Sequence, residues 1–361
     1  MLVAPATLGL LAPLSATANE LNLNDVSGYS SSEEIQNINE FNTTEQLAVT
    51  NSRVDGLEAR FNDFEAGGFS ETTSASFGSN FYVGAVDASA TGEAATFTYD
   101  FAMDLSTSFT GDDSFDIAVI GGNAGTTAVD GYMGGDSTDS DQLQLDGVSY
   151  TFPLGGATVI VGDGVGVDDM NTGACAYSAF TDLLSDCGTS NVGGSADSGF
   201  AIGYDFGNGF TMAGGAAGGV GTDETDGYFT EEDASTIGLE AAYTTDLYGL
   251  SVAYTDDEAT TYWSIQGMVA PEGYPSLSVG YETDDDDADA IFAGLTFSEV
   301  GPGSVSLGVA STALSSDDYY QYELSYSYPL NDGMTITPGV FITETAGEDE
   351  TGVVVTTSFS F

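Results

Sequence analysis

The amino-acid sequence predicts an all-β chain, a 16-stranded antiparallel transmembrane β-barrel preceded by a short N-terminal coiled-coil helix. Three observations carry this expectation. From residue 69 to the end, apolar and polar side chains alternate with a period of two, the repeat of a strand whose two faces meet different surroundings. The segments between these runs alternate between short turns and longer acidic stretches, the asymmetry of outer-membrane barrels. The closing stretch Val353–Phe361 places Phe361, Phe359, Thr357, Val355 and Val353 on one face and Ser360, Ser358, Thr356 and Val354 on the other.

Composition narrows the field. The chain has 361 residues, 48 of them Gly, 19 Tyr and 21 Phe. Beyond the N-terminus it holds no run of 18 apolar residues, which excludes transmembrane helices there. Acidic residues number 57 against two basic ones (Arg53 and Arg60), with no His, for a formal net charge of -55. Such a charge repels phosphates, so nucleic acid and anionic lipid surfaces are excluded as partners. A hydrophobic content of 41%, rich in aromatics, argues against disorder. Salty surroundings that screen self-repulsion account for the acidity, and a functional field inside a pore accounts for it equally. Without His or Lys the commonest general base and any side-chain amine nucleophile are missing, and a Ser-His-Asp arrangement is impossible. No enzyme is expected.

In chain order, residues 1–18 read as an export signal, with Leu8, Leu10, Leu11 and Leu14 as its apolar core and Ala16-Thr17-Ala18 as a small-x-small cleavage site. A positive n-region is missing, which leaves the true start open. Residues 19–45 are polar and aperiodic and read as a linker. In residues 46–66, Leu47, Thr50, Val54, Leu57, Phe61 and Phe64 follow spacings of 3 and 4, a heptad seam that predicts self-association of a short helix. Gly67-Gly68 ends it, and residues 69–361 form the barrel.

Strands are expected at 71–88, 94–106, 115–121, 142–152, 157–163, 199–206, 209–216, 235–245, 249–256, 261–270, 275–283, 289–298, 303–311, 318–328, 334–343 and 352–361. One-sided apolar sets mark them: Phe97, Tyr99, Phe101, Met103 and Leu105 in one, Tyr320, Tyr322, Leu324, Tyr326 and Tyr328 in another. Asp100, Asp104, Asp116, Asp205, Glu240, Glu282 and Glu323 all fall in the opposite register. A carboxylate facing lipid is costly at mid-membrane, so these seven are expected to line a lumen.

Among the connections, residues 164–198 are the longest. Within them Ser178–Ser185 read as about two helical turns, with Phe180, Leu183 and Leu184 on one side. Cys175 and Cys187 bracket this stretch, and in an exported chain a disulfide between them is expected, stabilising by about 3 kcal/mol on the chain-entropy estimate. The same loop carries Asp168, Asp169, Asp182 and Asp186. The acidic runs Asp284–Asp287 and Thr222–Asp233 raise Ca2+ as a ligand. Thr222, Glu224, Asp226, Gly227 and Asp233 follow an EF-hand loop only loosely, with the wrong first residue and no flanking helices, so a solvated acidic loop and no cofactor are expected.

Leu2-Val3-Ala4-Pro5-Ala6-Thr7-Leu8-Gly9-Leu10-Leu11-Ala12-Pro13-Leu14 resembles the signal peptide of marine cyanobacterial porins. Arg53-Val54-Asp55-Gly56-Leu57-Glu58-Ala59-Arg60, followed by Phe69-Ser70, resembles the junction of coiled coil and barrel in the same proteins, and Thr357-Ser358-Phe359-Ser360-Phe361 resembles their last strand. These porins are grouped with the carbohydrate-selective OprB family, and some are labelled iron-uptake porins. The close match covers about 40 residues. Members usually carry an S-layer-homology module after the signal peptide; here Ile38-Asn39-Glu40-Phe41 runs straight into Asn42-Thr43-Thr44, so that module and its wall anchoring are not carried over. The resemblance implies a homotrimeric pore in the outer membrane for small hydrophilic solutes. It also implies that the third outer loop folds inward as a constriction. Porins usually oppose constriction acids with an arginine ladder, whereas this chain has no Lys or Arg after Arg60. Cation preference is therefore expected. The competing expectation is a plugged barrel acting as an adhesin or receptor through its acidic loops.

Overall fold

Alternation of apolar and polar side chains closes into a cylinder when every strand finds two neighbours, because the oily face can then turn outward without leaving an open edge. The computed structural model describes residues 73–87, 94–125, 127–135, 141–189, 192, 198–218, 235–286, 288–311 and 319–361. The expected signal segment 1–18, linker 19–45, heptad seam 46–66 and the Thr222–Asp233 run lie outside the described residues.

Sixteen strands follow one another: β1 Thr73–Asp87, β2 Thr96–Thr107, β3 Ser114–Gly122, β4 Gln144–Leu154, β5 Ala157–Asp163, β6 Ser198–Asp205, β7 Phe210–Gly218 and β8 Thr236–Thr244, then β9 Tyr248–Asp256, β10 Thr261–Val269, β11 Ser276–Asp284, β12 Asp289–Val300, β13 Gly303–Ser311, β14 Tyr320–Asn331, β15 Met334–Thr343 and β16 Glu350–Ser360. Each pairs antiparallel with its sequence neighbours, and β1 pairs with β16 to close the barrel. The seam is stitched at its end by Phe77 and Phe361, whose backbone N–H groups donate to each other's carbonyls at 2.8 and 3.0 Å. On the outside of this seam Phe81 packs against Phe97, Tyr99 and Phe359.

The two faces differ as the sequence requires. On β8 Leu239 is 57% exposed to the outside and its neighbour Glu240 only 6% exposed. Leu250 and Val252, Trp263 and Ile265, Leu277 and Val279, and Leu324 and Val340 likewise stand outward and exposed, while Ser251, Ser264, Ser278 and Ser325 are buried on the inner side. The connections sort to two ends. Two-residue links such as 155–156, 301–302 and 332–333 lie at one end together with Phe361, and the longer loops lie at the other.

The link between β2 and β3 shows how a turn is fixed. The Asp113 carboxylate accepts from the Ser108 hydroxyl at 2.7 Å, from the N–H groups of Phe109 and Thr110 at 2.9 and 2.8 Å, and from the Tyr150 hydroxyl at 2.6 Å. The Tyr150 hydroxyl foremost, joined by these turn donors, holds the Asp113 carboxyl far below the usual carboxylate range, against an opposing push from burial. A depressed folded-state pKa contributes stability that is fully present above the ordinary carboxylate pKa and fades as pH falls below it. Asp113→Asn should therefore lower resistance to urea clearly at pH 7, and the gap to the wild type should begin to narrow once the pH falls below the ordinary carboxylate pKa of about 4, closing only at much lower pH. A gap that stays constant across that range would contradict the role given to the carboxylate.

Candidate functional site

A loop inside a barrel has no ladder of its own, so its backbone donors must find acceptors on the wall. Loop three, described over residues 164–189 and 192, runs along the inner wall from β6 to β15, and its backbone N–H groups reach inward side chains. Thr172 and Gly173 donate their N–H groups to Glu240 of β8 at 2.8 and 3.1 Å. Ala174 donates to Oε1 of Gln266 on β10 at 2.9 Å, Ala176 to the Ser278 hydroxyl on β11 at 2.9 Å, and Ser178 to Oγ1 of Thr296 on β12 at 3.3 Å. Glu323 of β14 then takes four donors: the Tyr177 hydroxyl, the N–H groups of Phe180 and Thr181, each at 2.8 Å, and the Thr181 hydroxyl at 2.5 Å. Leaving a buried donor without an acceptor costs about 1–3 kcal/mol, so these side chains offset what would otherwise expel the loop.

The wall is also hollowed to receive the loop. A Cβ at Gly238 would stand 2.6 Å from the Val167 side chain, at Gly280 2.0 Å from the Cys187 carbonyl oxygen, at Gly294 2.4 Å from the Tyr177 ring, at Gly308 2.6 Å from Leu184 and at Gly339 2.4 Å from the Phe180 ring. All five occupy inward positions of their strands, so glycine there makes a track in which the loop lies. Leu184 and Cys187 are fully buried against Phe292 and Ala310. Cys175 and Cys187 are joined in a disulfide with a Cα–Cα distance of 5.9 Å, closing the segment that carries the Glu323 contacts.

The helical stretch differs from the expected Ser178–Ser185. A 3-10 helix spans Asp182–Gly188 and is broken at Ser185, Asp186 and Cys187, the last two at φ 48° and 53°. The reason lies in the anchors: the N–H groups of Ser178, Phe180 and Thr181 are held by the wall and tie this stretch to it, and Thr181 is extended at φ -108°. The turn starts only after them.

The acids divide into two groups. Asp100, Glu240, Glu282 and Glu323 face inward but are 8%, 6%, 0% and 2% exposed, so they do not front open water. Glu240 and Glu323 hold loop three, and Asp100 accepts from the Asn80 backbone and side chain and from the Tyr82 hydroxyl. Asp205 sits at the end of β6, where it accepts the Gly207 N–H at 2.7 Å and caps the turn. Asp104 and Asp116, by contrast, line a cavity of about 360 Å3 together with Asp163 of β5, Asp169 of loop three, and Asp146, the extra residue of a bulge in β4. Sequence reasoning missed Asp146 and Asp163, because a bulge and a strand end both break the period of two. Asp168 and Asp186 border a second cavity, of about 330 Å3, between loop three and β8–β10. Enclosure by the wall comes first, and nearby carboxylates add to it, in pushing the carboxyls of Asp168 and Asp169 above their ordinary values. Asp182 and Asp186 are exposed on the lumenal side of the loop. Among the described residues no cluster of three His, Cys, Asp or Glu is placed to hold a metal ion, and Asp284 instead accepts the N–H groups of Asp286 and Ala288 at 3.0 and 2.8 Å.

A second loop also enters the barrel. Loop two (residues 123–143) carries a short helix, α1 Ala128–Met133, with a capping box between Thr127 and Asp130 and a left-handed cap at Gly134. Its signal was in the sequence: Thr127-x-x-Asp130 around an apolar residue.

Solved structures share this architecture. A Rhodopseudomonas blastica porin triple mutant superposes with a TM-score of 0.61 at 14% identity, over 80% of this chain and 100% of that one. Pseudomonas putida OprB, in its high-pH structure, superposes with a TM-score of 0.57 at 12% identity, over 80% of this chain and 94% of that one. The fold is the porin fold. No protein-family model matches the chain, and no curated protein does.

Within this porin fold Glu323 is the principal anchor. Glu323→Ala should orphan the Phe180 and Thr181 donors and let chymotrypsin cut between Cys175 and Cys187, at Tyr177 or Phe180, giving fragments that part only under reduction. Resistance equal to the wild type would show that the loop is held by other means.

Proposed function

We propose that the chain is an outer-membrane porin that passes small hydrophilic solutes and ions by passive diffusion, with cations preferred. The observation that carries the reading is the polarity of the cylinder: an apolar belt outward, fit for hydrocarbon, and carboxylates around an open cavity inward. The structural likeness to bacterial porins supports the same placement, and the sequence resemblance to marine cyanobacterial porins supports the envelope and the assembly as a homotrimer. Sugars and iron are the solutes suggested by that sequence resemblance. The activity requires no catalytic step and no cofactor.

Selectivity follows from the charges that face water. No Lys, Arg or His occurs after Arg60, so nothing basic opposes Asp104, Asp116, Asp146, Asp163 and Asp169. Fixed negative charge in a narrow channel concentrates counter-ions, and salt weakens the effect over about 10 Å at 0.1 M. The plugged-receptor reading draws its support from the two loops that lie within the barrel.

Purified protein in a planar bilayer separates the two. Stepwise conductance in groups of three, with a reversal potential on the cation side in a KCl gradient, is the expected result. Asp104→Asn combined with Asp163→Asn should move that potential toward zero. No conductance would favour the receptor, and a potential near zero in the wild type would remove the cation preference while leaving a sieve.

A further inference from the structure

The inner wall is hydroxylic, acidic or small-sided over most of its course, and it is apolar in two places: at Phe292 and Ala310, which lie under loop three, and at a patch across the β15–β16–β1 seam. Tyr82 and Val86 of β1, Phe341 of β15 and Val354 of β16 are inward residues, 4%, 2%, 1% and 0% exposed. Apolar side chains on a wet wall are unfavourable unless something covers them. Val129 of α1 and Phe180 of loop three join these four in a single buried cluster. Glycines open the space: a Cβ at Gly352 would stand 2.1 Å from the Phe341 ring and one at Gly84 2.8 Å from the Val354 side chain.

α1 has six residues, too few to hold a helix alone, so its shape depends on this seat. Three further contacts fasten it. Thr98 of β2 donates to Asp130, which is 2% exposed. The Tyr132 ring lies 4.4 Å from Phe341, and its hydroxyl donates to Glu350 at 2.6 Å. Burial first, then this carboxylate, pushes the Tyr132 phenol up to about 12, so it stays a donor throughout the working range of pH. Gly134, at φ 61°, closes against loop three: a Cβ there would stand 2.6 Å from Oδ1 of Asp182. Loop two thus meets loop three where Gly134 stands on Asp182, and Val129 and Phe180 share one buried apolar cluster.

We propose that loop two positions the constriction: α1 clamps the tip of loop three against the β15–β16–β1 wall, so that Val129 fixes where Phe180 and Asp182 stand and the two loops narrow the channel together. The narrowing rests on the channel reading above; the clamp itself does not. Glu323 fixes the loop from the wall side, the disulfide closes its tip on itself, and loop two fixes it from the lumen side.

The test uses the full chain with Val129→Asp, which puts a charge into the apolar seat, and Phe180→Ala, which removes the clamped ring from the other side. Chymotrypsin cleavage at Tyr177 and Leu183, within the disulfide-closed segment, reads the tip directly, and single-channel conductance with the largest solute admitted reads the bore. Val129→Asp is expected to lose protection at the tip and to shift conductance and exclusion limit upward. Phe180→Ala should give the same shift in bore, and the double variant no more than either alone. Val129→Ile should restore wild-type behaviour. Unchanged protection in Val129→Asp, or additive effects in the double variant, would overturn the proposal. Lost protection in a protein whose wild type conducts nothing would uphold the clamp and refute the channel. Should Val129→Asp fail to fold, Val129→Ala carries the same expectations in smaller measure.

Discussion

The structure depends on satisfying the backbone of a segment that lies inside a cylinder. Strands of the wall satisfy one another all the way round, but loop three enters a partly desolvated space with its N–H groups unpaired. Glu240, Gln266, Ser278, Thr296 and Glu323, drawn from β8 to β14, stand in succession beneath it and accept those groups. A carboxylate suits this duty because its two oxygens accept several donors at once, as Glu323 does with four. Removing Cβ atoms along the same track allows the close approach that such hydrogen bonds need.

This arrangement assigns acids by depth rather than by sequence position. Glu240, Glu282 and Glu323 share the inward register with Asp104 and Asp116, yet the first three are almost wholly covered, Glu240 beneath loop three at the edge of the second cavity, whereas Asp104 and Asp116 border the first cavity with no loop hydrogen-bonded over them among the described residues. Covered carboxylates hold geometry; uncovered ones make the field. With no basic side chain after Arg60 in the sequence, backbone amides and hydroxyls are the donors that offset the covered charges, and only solution cations can offset the rest.

Much of this was legible in the sequence. A period of two survives in nearly every strand, and each of the sixteen expected strands lies within three residues of its structural bounds. Which face points inward was legible too, because Leu239 beside Glu240 leaves a single arrangement without a charge on the apolar face. What lies over the inner face was not, since periodicity says nothing about which lumenal side chain a loop will cover. The short helix of loop three starts later than its sequence suggests: the first residues look helical in isolation, whereas Thr296 and Glu323, more than a hundred residues away, claim their N–H groups. The inward turn of loop two left one sign in the sequence, Phe341 and Val354 on an otherwise polar face, which call for something apolar to cover them.

Hydrogen exchange of individual amides in the detergent-solubilised wild type tests the central claim most directly. If wall side chains satisfy loop three, the amides of Ala174, Ala176, Phe180 and Thr181 exchange as slowly as those of the strands beneath them, far behind the amide of Asp285 in the link between β11 and β12. Exchange of all four at the pace of Asp285 would mean that the loop is not held to the wall, and the division between structural and field-forming acids would fall with it.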